Sequence, residues 1–174
     1  HNRVDLIEAL ILKLRQTHER IWYVCDGVYS MYGDFAPVKE LEQLMNQYSQ
    51  FHVYADDAHG MSWCGLNGKG YVLSQIKLHE QMILVTSLNK AFAGAGGAIV
   101  LPNEEWKRKI RTCGGPMIFS TPIQPPMLGV GIASAKLHLR SEFRGLQDKL
   151  KQNIEHCKTT LQKLQLPDIS TSDS

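Results

Sequence analysis

The chain has 174 residues, 43% of them hydrophobic and 21% charged, with a net charge of only +2. That is enough for one domain with a sizeable core, and too little for two comfortable ones. The balance argues against disorder and membrane spanning, and without a basic block or an aromatic-interleaved basic stripe it argues against nucleic acid and anionic membrane surfaces.

The elements follow one another in an α/β pattern. Leu6, Ile7, Leu10, Ile11 and Leu14 recur at helical spacing between Val4 and Glu19, predicting a first helix. "IWYVCDG" reads as a short buried strand stopped by Asp26 and Gly27. Pro37 suits the first turn of a helix running to about Tyr48, with Leu41, Leu44 and Met45 on one face. "FHVYADD", "QMILVTS" and "GAIVLP" read as three further strands. Asn103 is placed to cap a helix whose first turn carries Glu104 and Glu105 and whose end carries Lys109 and Arg111, matching the helix dipole at both ends. Beyond Pro125 a long amphipathic stretch predicts one bent helix or two, broken near Gly145, and after Pro167 the tail "DISTSDS" is polar. Strand and helix in turn predict an α/β fold with a mostly parallel sheet and flanking helices, followed by a long helical segment.

Cys25, Cys64, Cys113 and Cys157 stand far apart, with no CxxC pair, which predicts a reduced, cytoplasmic protein. No spacing of histidines or cysteines sets ligands on one centre, so no metal site is expected. The chain opens on His1 and is already in helical period by Val4, so it is expected to be cut from a longer one.

The chemically capable side chains cluster at strand ends. Asp26 follows the first strand, Asp56, Asp57 and His59 the second, and Lys90 the third; open α/β sheets bind ligands outside the carboxyl ends of their strands. Taken singly these are ordinary turn residues, and "ADDAHG" is equally an Asx turn with a surface histidine. Together an amine, a carboxylate and an imidazole are the set that pyridoxal phosphate requires: a Schiff-base lysine, a partner for the pyridinium nitrogen, and a donor to the ring oxygen. Gly94, Gly96 and Gly97 read as a backbone turn after Lys90; they do not form GxGxxG.

Four stretches, "CDGVYSMYGDFAPVKEL", "YADDAHGMSWCGLNGKG", "SLNKAFAGAGG" and "MIFSTPIQPP", resemble the α-oxoamine synthases, pyridoxal-phosphate enzymes of fold type I, and the resemblance runs from His1 to about Leu166. It implies Lys90 as the Schiff-base lysine, Asp56 as the partner of the pyridine nitrogen and His59 as the donor to the phenolic oxygen. It further implies Ser30 at the ring face or its oxygen, Ser87 as a phosphate-contacting hydroxyl, and Ser120 and Thr121 as groups that reach the phosphate of the neighbouring subunit's cofactor, hence a homodimer with shared active sites. The implied reaction joins an amino acid to an acyl-CoA thioester, usually with decarboxylation, to give an α-amino ketone. The resemblance divides the chain into the central part of the cofactor-binding large domain (residues 1–124), helices leading toward a small domain (125–166) and the polar tail (167–174), with an N-terminal part and the C-terminal small domain lying outside it. Asp57 departs from the family's usual "DEAHG", Asn89 from the serine before the lysine, and Tyr32 from an aspartate. Two rivals share the motifs. An aminotransferase or lyase of the same fold would use Lys90 and Asp56 equally well, although aspartate-type aminotransferases typically carry tyrosine at the position of His59. A non-catalytic partner subunit would keep the fold, although retention of Lys90 argues against it.

Overall fold

The computed structural model describes residues 1–166; the expected polar tail at 167–174 lies outside the described residues. Four strands, β1 (Ile21–Asp26), β2 (Phe51–Asp56), β3 (Met82–Ser87) and β4 (Gly97–Val100), form one sheet in sequence order, with β1, β2 and β3 parallel and β4 antiparallel to β3. The parallel strands are joined through helices α2 (Val38–Gln47) and α3 (Tyr71–Gln75), as parallel neighbours require, whereas the short link from β3 to β4 permits only an antiparallel return. The expectation of a mostly parallel sheet with flanking helices is borne out.

One face of the sheet builds the core. Strand residues alternate faces, so Cys25, Val53, Ala55, Met82 and Leu84 fall on the same side, and the register pairs Cys25 with Ala55, Ala55 with Leu84, and Val53 with Met82. Against this row pack Ile7 and Ile11 of α1 (Val4–Leu14), Leu41, Leu44 and Met45 of α2, and Val72 of α3. The period-3.6 positions seen in the sequence of α1 and α2 include the ones buried here. The opposite face is open at Val24, while Trp22 on that face meets the edge of Trp106 at 6.0 Å from α4 (Glu104–Cys113). Helix α4 starts as expected, with Asn103 Oδ1 accepting from the Trp106 N–H at 3.0 Å.

Two local expectations are corrected and one element is added. Helix α1 ends at Leu14 rather than near Glu19, because the Thr17 and His18 N–H groups fold back onto the Leu14 carbonyl. Helix α3 has no counterpart in the sequence pattern, since five residues are too few to show a period. The long helical stretch breaks at Leu139–Ser141, not at Gly145, dividing α5 (Pro125–His138) from α6 (Glu142–Lys163). The cause is packing: the His138 ring lies between Phe92 (4.9 Å) and Phe143 (4.1 Å), and the bend folds Phe143 back over it.

Candidate active site

The parallel ladder sets the strand ends level. Asp26 pairs with Asp56, Asp56 pairs with Val85, and the bonding continues one residue further, with Gly27 N–H donating to the Asp56 carbonyl at 2.7 Å and Asp57 N–H to the Val85 carbonyl at 2.8 Å. Asp56 therefore stands at the rim, half-buried, with Oδ1 accepting from Ala58 N–H at 2.9 Å. This is the Asx turn that the sequence also allowed, and it orients the carboxylate without consuming its second oxygen. The Asp57 carbonyl then accepts from Gly60 and Met61 N–H, so the chain reverses and presents His59, whose own carbonyl accepts from the Trp63 indole.

Lys90 arrives from the other side. After β3 the loop closes on itself: Leu88 N–H donates to Gly96 O at 2.9 Å, Gly94 N–H to Leu88 O at 2.6 Å, and Ala93 N–H to Lys90 O at 2.8 Å. Asn89 Oδ1 accepts from Gly96 N–H at 2.7 Å, locking the loop's neck. Gly96 has a φ of +86°, where a side chain would be strained, so the expectation that these glycines serve the backbone is met at this position. The loop places Lys90 Nζ 2.6 Å from His59 Nε2, although the residues are 31 positions apart. With the amine donating to Nε2, the imidazole proton sits on Nδ1.

The other predicted residues are placed as follows. Ser87 ends β3, and its Oγ accepts from Asn89 N–H at 3.1 Å, leaving its hydroxyl hydrogen to donate elsewhere. Ser30 is exposed in the turn between β1 and α2. Ser120 and Thr121 are exposed in the segment leading to α5, which passes beside the Lys90 loop: a Cβ on Gly96 would meet Ile123 Cδ1 at 3.3 Å. Lys90 and His59 are thus in contact, with Asp56 on the same turn as His59.

Two features were not read from the sequence: the burial of Asp57 and a clamp on the lysine loop. Asp57 is buried directly beneath the turn, and burial pushes its carboxyl up to about 6 despite the Val72 and Tyr71 N–H groups that favour its charge. The second is a clamp holding the lysine loop to the helices: His138 shares hydrogen bonds with Ser62 Oγ at 2.9 Å and the Ser134 carbonyl at 2.8 Å, while Ser134 Oγ donates to Phe92 O at 2.5 Å.

An amine against an imidazole, with a carboxylate on the same turn at the carboxyl edge of a parallel sheet, is a donor set chemically able to hold a carbonyl-bearing cofactor and to move a proton on it. Residues 1–174 match the model of the family "Aminotransferase class I and II", and the chain belongs to that family, whose pyridoxal-phosphate chemistry this donor set fits. Among relatives, the chain is 34% identical to the 8-amino-7-oxononanoate synthase of Marinomonas sp. (strain MWYL1) over 81% of this chain and 35% of that one. It is 41% identical to the enzyme of the same name from Arabidopsis thaliana over 70% of this chain and 25% of that one. The solved serine palmitoyltransferase from S. paucimobilis with bound PLP and myriocin superposes with a TM-score of 0.67 at 28% identity, covering 82% of this chain and 36% of that one. The resemblance to the α-oxoamine synthases read from the motifs is borne out by these relatives. The chain spans 35% and 25% of the length of the two curated relatives.

Proposed function

We propose that the protein is a pyridoxal-phosphate-dependent acyltransferase that joins an amino acid to the acyl group of an acyl-CoA thioester, usually with decarboxylation, giving an α-amino ketone. The observation that carries this reading is the 2.6 Å contact between Lys90 Nζ and His59 Nε2, with Asp56 at the adjoining strand end. The names of the relatives and of the solved neighbour support the same chemistry.

When bound, the cofactor supplies an electron sink for a carbanion at the amino acid's α-carbon. Lys90 contributes the amine that holds it and, once displaced by substrate, the base that takes the α-proton onto Nζ. His59 steadies that amine through Nε2 and serves as hydrogen-bond donor to the ring oxygen. Asp56, fixed by the Ala58 N–H, keeps the proton on the ring nitrogen. Ser87 has its hydroxyl hydrogen available for the phosphate, Ser30 serves the ring face or its oxygen, and Ser120 and Thr121 serve the phosphate in a neighbouring subunit. The last assignment makes the working form a homodimer with shared active sites, and the exposure of Ser120 and Thr121 supports it. Residues 1–124 form the central part of the cofactor-binding domain and 125–166 the helices that lead toward the smaller one. The four free cysteines support a cytoplasmic setting, and among the described residues no helix is long and apolar enough to cross a membrane.

The test is an absorbance spectrum with pyridoxal phosphate before and after borohydride, followed by peptide mapping. A reduced adduct on Lys90 supports the reading. An adduct on another lysine, or none, overturns it.

A further inference from the structure

Asp57 has no role in the chemistry assigned above, yet it is only 2% exposed at the strand ends. Its Oδ2 accepts from Val72 N–H at 2.9 Å in the first turn of α3, and Oδ1 has no hydrogen-bond partner among the described residues. Three glycines from three segments leave the space it fills. A Cβ would stand 2.5 Å from Oδ1 if added to Gly27 after β1, 2.1 Å from Oδ1 if added to Gly60, and 2.3 Å from Oδ2 if added to Gly70 before α3. No real Cβ approaches an oxygen so closely, so the carboxylate and the three bare α-carbons interlock.

The main chain of the same residue is tied as firmly. Asp57 N–H donates to the Val85 carbonyl of β3, and its carbonyl accepts from Gly60 and Met61 N–H. One residue thus joins β3, α3 and the reversing turn, and Asp56 stands immediately before it and His59 two places after. A carboxylate buried with an unpartnered oxygen is expensive in stability, and such breaches of local economy concentrate where a site must be held in place.

We propose that Asp57 is a positioning residue: its interlocked carboxylate fixes the turn from which the Asp56 carboxylate and the His59 imidazole reach the cofactor. The proposal rests on the reading of Lys90, Asp56 and His59 given above. The titratable groups that share the electrostatic surroundings of Asp57 are Asp56 on its own turn, Cys25 on β1, Cys64 in the loop beyond His59 and Tyr71 opening α3, and none of these is a cation. The neighbouring charge that acts on it is Asp56, the adjoining carboxylate.

The test compares the purified, cofactor-loaded enzyme with its Asp57→Asn and Asp57→Glu variants. Asp57→Asn keeps the size of the side chain and its acceptor for Val72 while removing the carboxylate; Asp57→Glu restores a carboxylate. With borohydride still trapping an adduct on Lys90 in every variant, Asp57→Asn is expected to lower kcat by about 100-fold, the order for a catalytic group misplaced by 1 Å, with KM little changed. The absorption maximum of the bound cofactor and the acid limb of its pH titration should move with it, and Asp57→Glu, whose extra methylene has no room among the three glycines, should not recover the loss. Unchanged kcat, spectrum and pH titration in Asp57→Asn would overturn the proposal. Absence of a Lys90 adduct in the unmutated enzyme would instead overturn the underlying reading. Where Asp57→Asn does not fold, Gly27→Ala carries the test, because it displaces the carboxylate without removing it; an unaltered spectrum and kcat there would refute the interlock equally.

Discussion

The sheet with its first three helices and the pair α5–α6 make opposite use of their hydrophobic residues. In the first, Phe51, Leu41, Met45, Met82 and Val53 are each at most 1% exposed and form one contiguous core. In the second, Leu128, Ile132, Leu139, Leu146 and Leu164 are all at least half exposed, and the main anchorage lies around His138, Phe143 and Gln147. The lysine loop lies where the two regions meet, since Phe92, two residues after Lys90, packs against His138. The lesson is that the placement of Lys90 against His59 is set by the core on one side and by a small polar clamp on the other.

The comparison can be broken at its strongest point by truncating the core. Phe51→Ala should cost about 3–5 kcal/mol of unfolding free energy, measured by denaturant titration, whereas Leu150→Ala on α6 should cost under about 1 kcal/mol. A Leu150 cost as large as that of Phe51 would mean that the exposed helical face is covered in the working protein.

The next effect depends on pH. Asp57 has a folded pKa of about 6 against an ordinary 3.8, so the folded state holds the extra proton between those values. The favourable contribution is whole below 3.8 and is lost as pH rises through about 6; the gap corresponds to about 3 kcal/mol at most. Relative to Asp57→Asn, the unmutated protein should therefore lose stability between pH 4 and pH 7, as read by paired denaturant midpoints. A difference that stays flat with pH would show that Asp57 does not titrate in this window.

Cutting the clamp tests the second region directly. His138→Ala removes the ring between Phe92 and Phe143 and both of its hydrogen bonds, and should cost about 1–3 kcal/mol. Hydrogen exchange should quicken at Phe92 and Ala93 while the amides of β2 keep their protection. Uniform loss of protection across β2 as well would place His138 within the main core. The smallest effect is expected at the cap: Asn103→Ala should weaken α4 by about 1 kcal/mol, visible as faster exchange of the Trp106 amide.

These two regions also differ in how much of them the sequence disclosed. Lys90, His59 and Asp56 could be read as a cluster at strand ends because apolar runs mark the strands; taken singly each is an ordinary turn residue, and a role for each came only with the family resemblance. Helices α1, α2 and α4 were legible through period and capping. Asp57 was legible only as a departure from a motif, since its burial depends on Gly27 and Gly70, which flank other elements. The Ser62–His138 contact spans 76 positions, and no spacing rule links a serine in a loop to a histidine at a distant helix end. Gly145 was expected to break the helix, but the break follows aromatic packing around His138 instead of the residue with the lowest propensity.

The self-closing loop between β3 and β4 is built from local contacts, unlike the ladder beside it. Its hydrogen bonds join residues within about ten positions of one another, and a hairpin of that kind forms in about 1–10 μs. The pairing of β1, β2 and β3 that levels Asp56 with its neighbours must wait for two crossovers and the closure of much longer loops. The ladder that brings Asp56 and His59 to the rim therefore depends on longer closures than the loop that carries Lys90.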